Sequence, residues 1–141
     1  MKRWNILGWT LVIMTAMFSL GCSSPGGTVT DYASLIDKLE AQGATVVETG
    51  EITQPFFDIT GKSLTVNGDT VQVFEYADEP AMRAEADTIS ADGSSIGTSM
   101  PSWISDPHFY KAGRIIVLYV GTDTGVIDEL RQALGTQFAG R

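Results

Sequence analysis

The sequence predicts an α+β fold, in which a single small domain contains a mainly antiparallel sheet with about three helices packed on it. Two observations predict the sheet: an Asn67-Gly68 pair between two β-rich runs, and a continuous apolar run at residues 115–120. The third is the element order, helix, strand, hairpin, helix, hairpin, helix, which lacks the alternating strand and helix series of a parallel sheet. About 110 residues follow residue 29, which is enough for one domain with its own core.

Three segments combine apolar residues at helical spacing with residues that begin or end a helix. They cover residues 31–43, 78–92 and 123–135. An aspartate stands at or near the start of each segment, where its carboxylate can accept hydrogen bonds from free backbone N–H groups. We expect the helices to pack on one face of the sheet. The alternative is a mixed sheet with the last helix on the opposite face.

The remaining segments favour strands. We expect them within residues 44–52, around residues 63–66, 69–76 and 103, and in a second hairpin that turns at 111–113 and returns along 115–120. Asn67-Gly68 is the pair that a two-residue hairpin turn prefers, because both central residues need positive φ. The return strand is apolar at every position, which predicts the centre of the sheet. Residues 53–61 contain Pro55 and are expected to be irregular or an edge.

The first 22 residues have the order of a secretory signal. Lys2 and Arg3 precede an apolar run at residues 6–20, and a small residue then precedes Cys22. The ending SLGC, residues 19–22, resembles the lipobox of bacterial lipoproteins. That resemblance implies that the Cys22 thiol carries a diacylglyceryl group with fatty acyl chains such as palmitate, and that the signal peptide is cut off immediately before it.

This interpretation divides the chain into a signal peptide (1–21), the lipidated cysteine with a flexible tether (22–29), and an α+β globular domain (30–141). The tether composition, SSPGGTV, is small, polar and rich in Pro and Gly. The alternative is an uncleaved signal anchor, since residues 4–20 approach the roughly 20 apolar residues that span a bilayer. Both interpretations place the domain outside the cytoplasm, membrane-anchored in the cell envelope.

Charge and cysteine content exclude several classes of function. Two of the nine cations, Lys2 and Arg3, and none of the 17 acids precede Cys22, so the mature part has 7 cations, 17 anions and a net charge of −10. A surface this acidic argues against nucleic acid as a partner. Cys22 is the only cysteine in the sequence, so the domain has no disulfide, zinc thiolate or cysteine nucleophile.

The domain is also similar to small bacterial lipoproteins that carry segments like VQVFEYAD, SSIGT, PHFY and GRIIVLYVG, here at residues 71–78, 94–98, 107–110 and 113–121. No activity is assigned to that group, so the resemblance implies none. It supports only a lipid-anchored envelope protein.

Motifs of known chemistry are missing. The sequence has no phosphate loop, GxSxG elbow or HExxH spacing, and it indicates no cofactor or metal site. We therefore expect a binding or interaction module, whose partner is an envelope protein or a small molecule, rather than an enzyme. The alternative is an envelope hydrolase that uses Asp106, His108 and a loop serine.

The aromatic residues in segments expected to be irregular or at an edge are the candidate ligand site. Most aromatic residues in a domain of this size belong to its core. Adjacent aromatic residues of an extended chain point to opposite sides, however, so one ring of each pair is expected to face outward. The hypothesis is an apolar binding patch, with the histidine as a polar handle, formed by Phe56, Phe57, Trp103, His108, Phe109 and Tyr110.

Overall fold

The computed structural model describes residues 27–141. The predicted signal peptide, Cys22 and most of the predicted tether lie outside the described residues. The elements are α1 (Tyr32–Ala41), β1 (Val46–Ile52), β2 (Gly61–Val66), β3 (Asp69–Glu75), α2 (Glu79–Ala86), β4 (Pro107–Ala112), β5 (Ile115–Val120), α3 (Thr124–Leu134) and β6 (Ala139–Gly140).

Within this range the strands form one six-stranded sheet in the order β1-β2-β3-β5-β4-β6, and every neighbouring pair is antiparallel. This confirms the predicted α+β class. The apolar strand β5 lies between β3 and β4, and five of its six residues are buried. The prediction that residues 115–120 form the centre of the sheet is therefore confirmed.

Helices cover both faces of the sheet. One face packs against α1 and α3 in a core that we call the α1–α3 core, which includes Leu35, Leu39, Val73, Val117, Val126 and Leu130. The other face packs against α2 and irregular segments in the α2 core, which includes Phe57, Phe74, Met82, Ile96, Phe109 and Leu118. The expectation that all helices share one face is wrong. Alternate residues of β5 point to opposite faces and all are apolar, so both faces must be covered.

Local turn and cap signals are confirmed. Asn67 and Gly68 have φ of 51° and 96°, as the predicted turn between β2 and β3 requires. Asp31, Asp78 and Asp123 each cap a helix by accepting a backbone N–H bond. The predicted second helix is shorter than expected, since α2 ends at residue 86. The first strand, β1 (Val46–Ile52), falls within the predicted segment 44–52, and its pairing with β2 contains a bulge near residue 50.

Two strand predictions need correction. Residues 100–106 form no strand around Trp103, and β4 begins at Pro107, where the absent N–H is tolerated at a strand start. The second hairpin turns at Gly113 and Arg114 rather than at 111–113, because Ala112 is already paired with Ile115.

The chain enters the domain beside the turn between β4 and β5. The Arg114 N–H donates to the Thr30 carbonyl oxygen at 2.9 Å. A Cβ atom at Gly113 would lie 2.2 Å from the same oxygen, so only glycine allows this approach. Val29, which the sequence assigns to the tether, is buried in the α1–α3 core.

Candidate functional site

A groove of about 470 Å³ lies on the face of the sheet that carries α2. Its floor is formed by Gln72 of β3 and Val120 of β5, and its walls by residues 54–56 and 99–104. The volume falls within the range of roughly 300–1,000 Å³ that is usual for small-molecule sites. The groove is therefore large enough to hold a ligand.

The lining of this groove is uncharged. It consists of Gln54, Pro55, Phe56, Gln72, Ser99, Met100, Pro101, Ser102, Trp103, Ile104 and Val120. The sequence as a whole carries a formal net charge of −8, so a lining without any acidic or basic side chain differs from the general character of the chain. Burying a charge against such a surface is costly because nothing there pairs with it, so the groove favours a neutral ligand.

Two large apolar side chains stand in solvent on the rim. Met100 is 82% exposed and Ile104 is 97% exposed. In the part of the chain that the structure describes, the only other exposed large apolar side chain is that of Val47, on the edge strand. Apolar side chains gathered around a groove commonly mark a surface that contacts a ligand or partner.

Trp103 forms a fixed wall of the groove. Its indole Nε1–H donates to the Gly93 carbonyl oxygen at 2.7 Å. The ring makes edge contacts with Phe56 and Phe109, at centroid distances of 5.7 and 5.8 Å. A side chain held by one hydrogen bond and two aromatic neighbours loses little further freedom when a ligand binds, which favours affinity.

The turn that presents the Gly93 carbonyl is held by Asp92. Its carboxylate accepts bonds from the Ser94 backbone N–H at 3.0 Å and the Ser90 hydroxyl at 2.8 Å. The Ser94 backbone N–H, together with the hydroxyls of Ser94 and Ser90, lowers the pKa of Asp92 to about 2. The carboxylate is therefore ionised at neutral pH, and it supports the groove wall through Gly93 and Trp103.

The structure brings four of the six predicted site residues together. Phe56 and Trp103 line the groove, whereas Phe57 and Phe109 lie beneath it in the α2 core. Phe57 is 4% exposed and packs between the rings of Phe56, at 5.0 Å, and Phe74, at 4.5 Å. A binding role for this aromatic group stays a prediction.

His108 and Tyr110 do not belong to this group. Neighbouring residues of β4 point to opposite faces, so they lie on the face opposite to Phe109. Tyr110 is 1% exposed and packs in the α1–α3 core. The expectation that one ring of each adjacent pair faces outward holds for Phe56, which lines the groove, and is wrong for Phe109 and Tyr110, which are both buried. His108 is buried as well, so it is not an exposed polar handle.

The surroundings of His108 differ from those that the hydrolase alternative requires. Its Nδ1 lies 2.7 Å from Gln137 Oε1, its Nε2 lies 3.0 Å from the Gly121 carbonyl oxygen, and its ring stacks on Tyr119. Within residues 27–141, neither ring nitrogen contacts a carboxylate or a serine hydroxyl, and Asp106 offers only its backbone carbonyl to Gly121. The ring therefore links the residue that follows β5 to the segment that follows α3.

Sequence reasoning missed most of the groove. The sequence analysis names neither Gln54 and Gln72 nor Met100 and Ile104 as site residues, and it predicts a strand around residue 103. A usable signal was present: Met100 and Ile104 lie in a short segment that contains Pro101 and is bounded by Pro107, which disfavours a regular element that could bury them.

Across residues 27–141, no group of three or more His, Cys, Asp or Glu side chains could hold a metal ion. None of the helices in that range has the length and apolarity needed to cross a bilayer. Comparison with protein-family models, curated proteins and solved structures finds no match to this chain.

Proposed function

We propose that this chain is a lipid-anchored extracytoplasmic lipoprotein of the cell envelope that acts as a binding module. The observation that carries the binding role is the uncharged groove, with Met100 and Ile104 exposed on its rim. Its partner is an envelope protein or a small-molecule ligand, and the membrane contact is made through the lipid on Cys22.

The sequence supports the anchor. The chain begins with a positive start and an apolar run, and a small residue then precedes the single cysteine. This order gives the Cys22 thiol a role as a lipid attachment point. Each methylene of an acyl chain that is buried in a bilayer contributes about 0.8 kcal/mol to membrane binding. One acyl chain therefore holds a protein only marginally, whereas two hold it stably. A lipoprotein with an attached diacylglyceryl group meets that condition.

The position of the groove supports a ligand that arrives from the aqueous side. The chain enters beside Arg114, at the start of β5, whereas the groove contains Val120, at the other end of the same strand. Six residues of antiparallel strand separate the two ends by about 17 Å. The groove is thus at the end of the sheet opposite to the tether.

The composition of the groove supports binding rather than catalysis. Its lining contains no histidine, cysteine or carboxylate, and its two serines, Ser99 and Ser102, have no base beside them. Such a lining can recognise shape and apolar surface but lacks the groups that move protons.

Metabolic labelling with a fatty acid tests the anchor. Cells that express the intact chain should incorporate the label into it, and Cys22→Ala should abolish the label and leave the signal uncut. A serine substitution at the exposed Met100 is the matched control and should keep the label. Label retained on the Cys22→Ala protein would show that the thiol is not the attachment point.

A photoreactive residue placed in the groove rim tests the binding role. With the photoreactive side chain at position 104, irradiation of living cells should give a defined adduct. The same side chain at Val47, which is exposed on the edge strand away from the groove, is the control. Equal labelling from the two positions, or no adduct from Ile104, would contradict the proposal that the groove is a binding site.

A further inference from the structure

Two glutamine amides face each other in the groove. Gln54 Nε2 donates to Gln72 Oε1 at 2.8 Å. Gln54 Oε1 and Gln72 Nε2 have no hydrogen-bond partner within the described part of the chain, and both residues line the groove. The pair therefore presents one free acceptor and one free donor in an uncharged lining whose other polar side chains are the hydroxyls of Ser99 and Ser102.

A peptide main chain offers the groups that complement this pair. Each peptide unit has one N–H donor and one C=O acceptor, which match Gln54 Oε1 and Gln72 Nε2. A purely apolar ligand would cover both amide atoms without replacing their bonds to water, and that loss disfavours it. The amide pair thus distinguishes an amide-bearing ligand from a hydrocarbon chain.

The rim indicates a ligand longer than the cavity itself. Met100 and Ile104 are almost fully in solvent, so a molecule confined to the cavity would leave them exposed. An extended peptide advances about 3.3 Å per residue and presents alternate side chains to one side, so a short segment can contact Trp103, Met100 and Ile104 in succession. The uncharged lining favours neutral side chains on such a segment, and the exposed Met100 and Ile104 favour apolar ones.

We propose that the groove binds an uncharged, apolar stretch of extended peptide from another protein. A main-chain N–H of the peptide donates to Gln54 Oε1, a main-chain carbonyl accepts from Gln72 Nε2, and apolar side chains pack on Trp103 and Ile104. This inference rests on the proposed function of the groove as a binding site, and it adds the chemical class of the ligand.

The test uses the full chain in lipid nanodiscs and a fluorescein-labelled peptide. The probe is a blocked hexapeptide of Ala, Leu, Val and Phe with a Gly-Ser linker to the dye, and binding is measured by anisotropy against empty nanodiscs. Two altered peptides have either a central Asp or an ester in place of one central amide. The Asp peptide should bind at least roughly tenfold more weakly, and the ester peptide roughly three- to tenfold more weakly, because it has lost one N–H donor.

Protein variants assign the effect to the amide pair. Gln72→Leu keeps most of the side-chain volume and should weaken binding of the all-amide peptide roughly three- to tenfold. In Gln54→Ala the acceptor is gone, so the ester and amide peptides should bind equally, which is the coupling expected of directly bonded groups. Val47→Ser, on the edge strand, is the control and should bind like the unchanged chain. Melting temperatures identify any variant that fails to fold, and the Gln54→Ala comparison remains when Gln72→Leu does not fold.

Specific outcomes overturn the peptide inference. The inference fails if the Asp peptide binds as tightly as the all-amide peptide, or if the all-amide peptide does not bind. It also fails if both glutamine variants bind the all-amide peptide with the affinity of the unchanged chain. If the photoreactive residue at position 104 forms an adduct in cells with a lipid or a small apolar molecule, the groove still binds a ligand but the peptide inference fails. If neither the adduct nor peptide binding is observed, the proposed function fails with it.

Discussion

Val117→Asp should leave little folded protein. Val117 is 0% exposed and lies in the middle of β5, paired with Val73 on one side and Tyr110 on the other. Its side chain packs in the α1–α3 core. The substitution therefore places a carboxyl group at a fully buried position of the sheet, among apolar side chains.

The magnitude follows from two losses. Removing a fully buried valine forfeits roughly 1.5–3 kcal/mol of apolar burial. An unpaired charge, or a protonated carboxyl without a partner, adds a penalty of roughly 3–5 kcal/mol. The total destabilisation is about 5 kcal/mol or more. A domain of this size typically has a free energy of unfolding of about 5–15 kcal/mol, so the substitution removes a large part of it.

Circular dichroism melts of the variant and a matched control test this reasoning. Lys111→Ala alters the same hairpin at an exposed position, where the Lys111 ammonium lies 4.6 Å from the Phe138 ring centroid. Losing that contact costs about 0.5–1 kcal/mol, so the control should melt only a few degrees lower than the unchanged chain. Equal melting of Val117→Asp and Lys111→Ala would show that β5 is not the stability centre.

Three further substitutions examine the core, the chain entry and the groove wall. Phe57→Ser combined with Tyr110→Ser should unfold the domain in denaturant titrations, since each large-to-small change costs about 3–5 kcal/mol, and near-normal stability would contradict their burial. Gly113→Ala should destabilise the chain entry and speed proteolysis there, because its Cβ would meet the Thr30 carbonyl; an unchanged digestion pattern would contradict that contact. Trp103→Phe should lower stability by about 0.5–1.5 kcal/mol through its lost indole N–H bond, and unaltered hydrogen exchange in residues 90–104 would contradict the supporting role of that bond.

Features encoded within a few neighbouring residues could be predicted from the sequence. The Asn67-Gly68 turn follows from the φ values that its two residues tolerate, and the caps at Asp31 and Asp123 follow from carboxylates next to free N–H groups. The central position of residues 115–120 follows from an apolar side chain at every position. Each of these signals needs no knowledge of distant residues.

Assignments that depend on the packing of distant segments could not be predicted. Apolar residues at helical spacing show that one side of a helix is buried, but they do not show which face of the sheet the helix covers. The sequence therefore placed α2 on the same face as α1 and α3, whereas it packs on the other face. Residues 103–104 resemble a strand locally, yet Trp103 is held by a carbonyl ten residues earlier in the chain. Tertiary contacts of this kind override local propensity.

The candidate site was half predicted for an identifiable reason. Adjacent residues of a strand point to opposite faces of the sheet, so a sheet with only one covered face would leave one ring of each aromatic pair exposed. The sheet has two covered faces, so Phe109 and Tyr110 are both buried, one on each side. The exposed apolar surface instead comes from Met100 and Ile104, in a segment without regular structure.

The unequal covering of the two faces explains why the groove exists. The α1–α3 face is covered by helices of 10 and 11 residues, whereas α2 has only eight, about 12 Å at 1.5 Å per residue. A strand such as β5 is longer than that, about 17 Å, so α2 leaves part of its face to irregular segments. Segments without helical periodicity cover a flat sheet incompletely, and here they leave Gln72 and Val120 as a groove floor. Changes at Met100 and Ile104 can therefore alter what the groove binds without disturbing the sheet beneath it, because both side chains are exposed and neither residue belongs to a strand of the sheet.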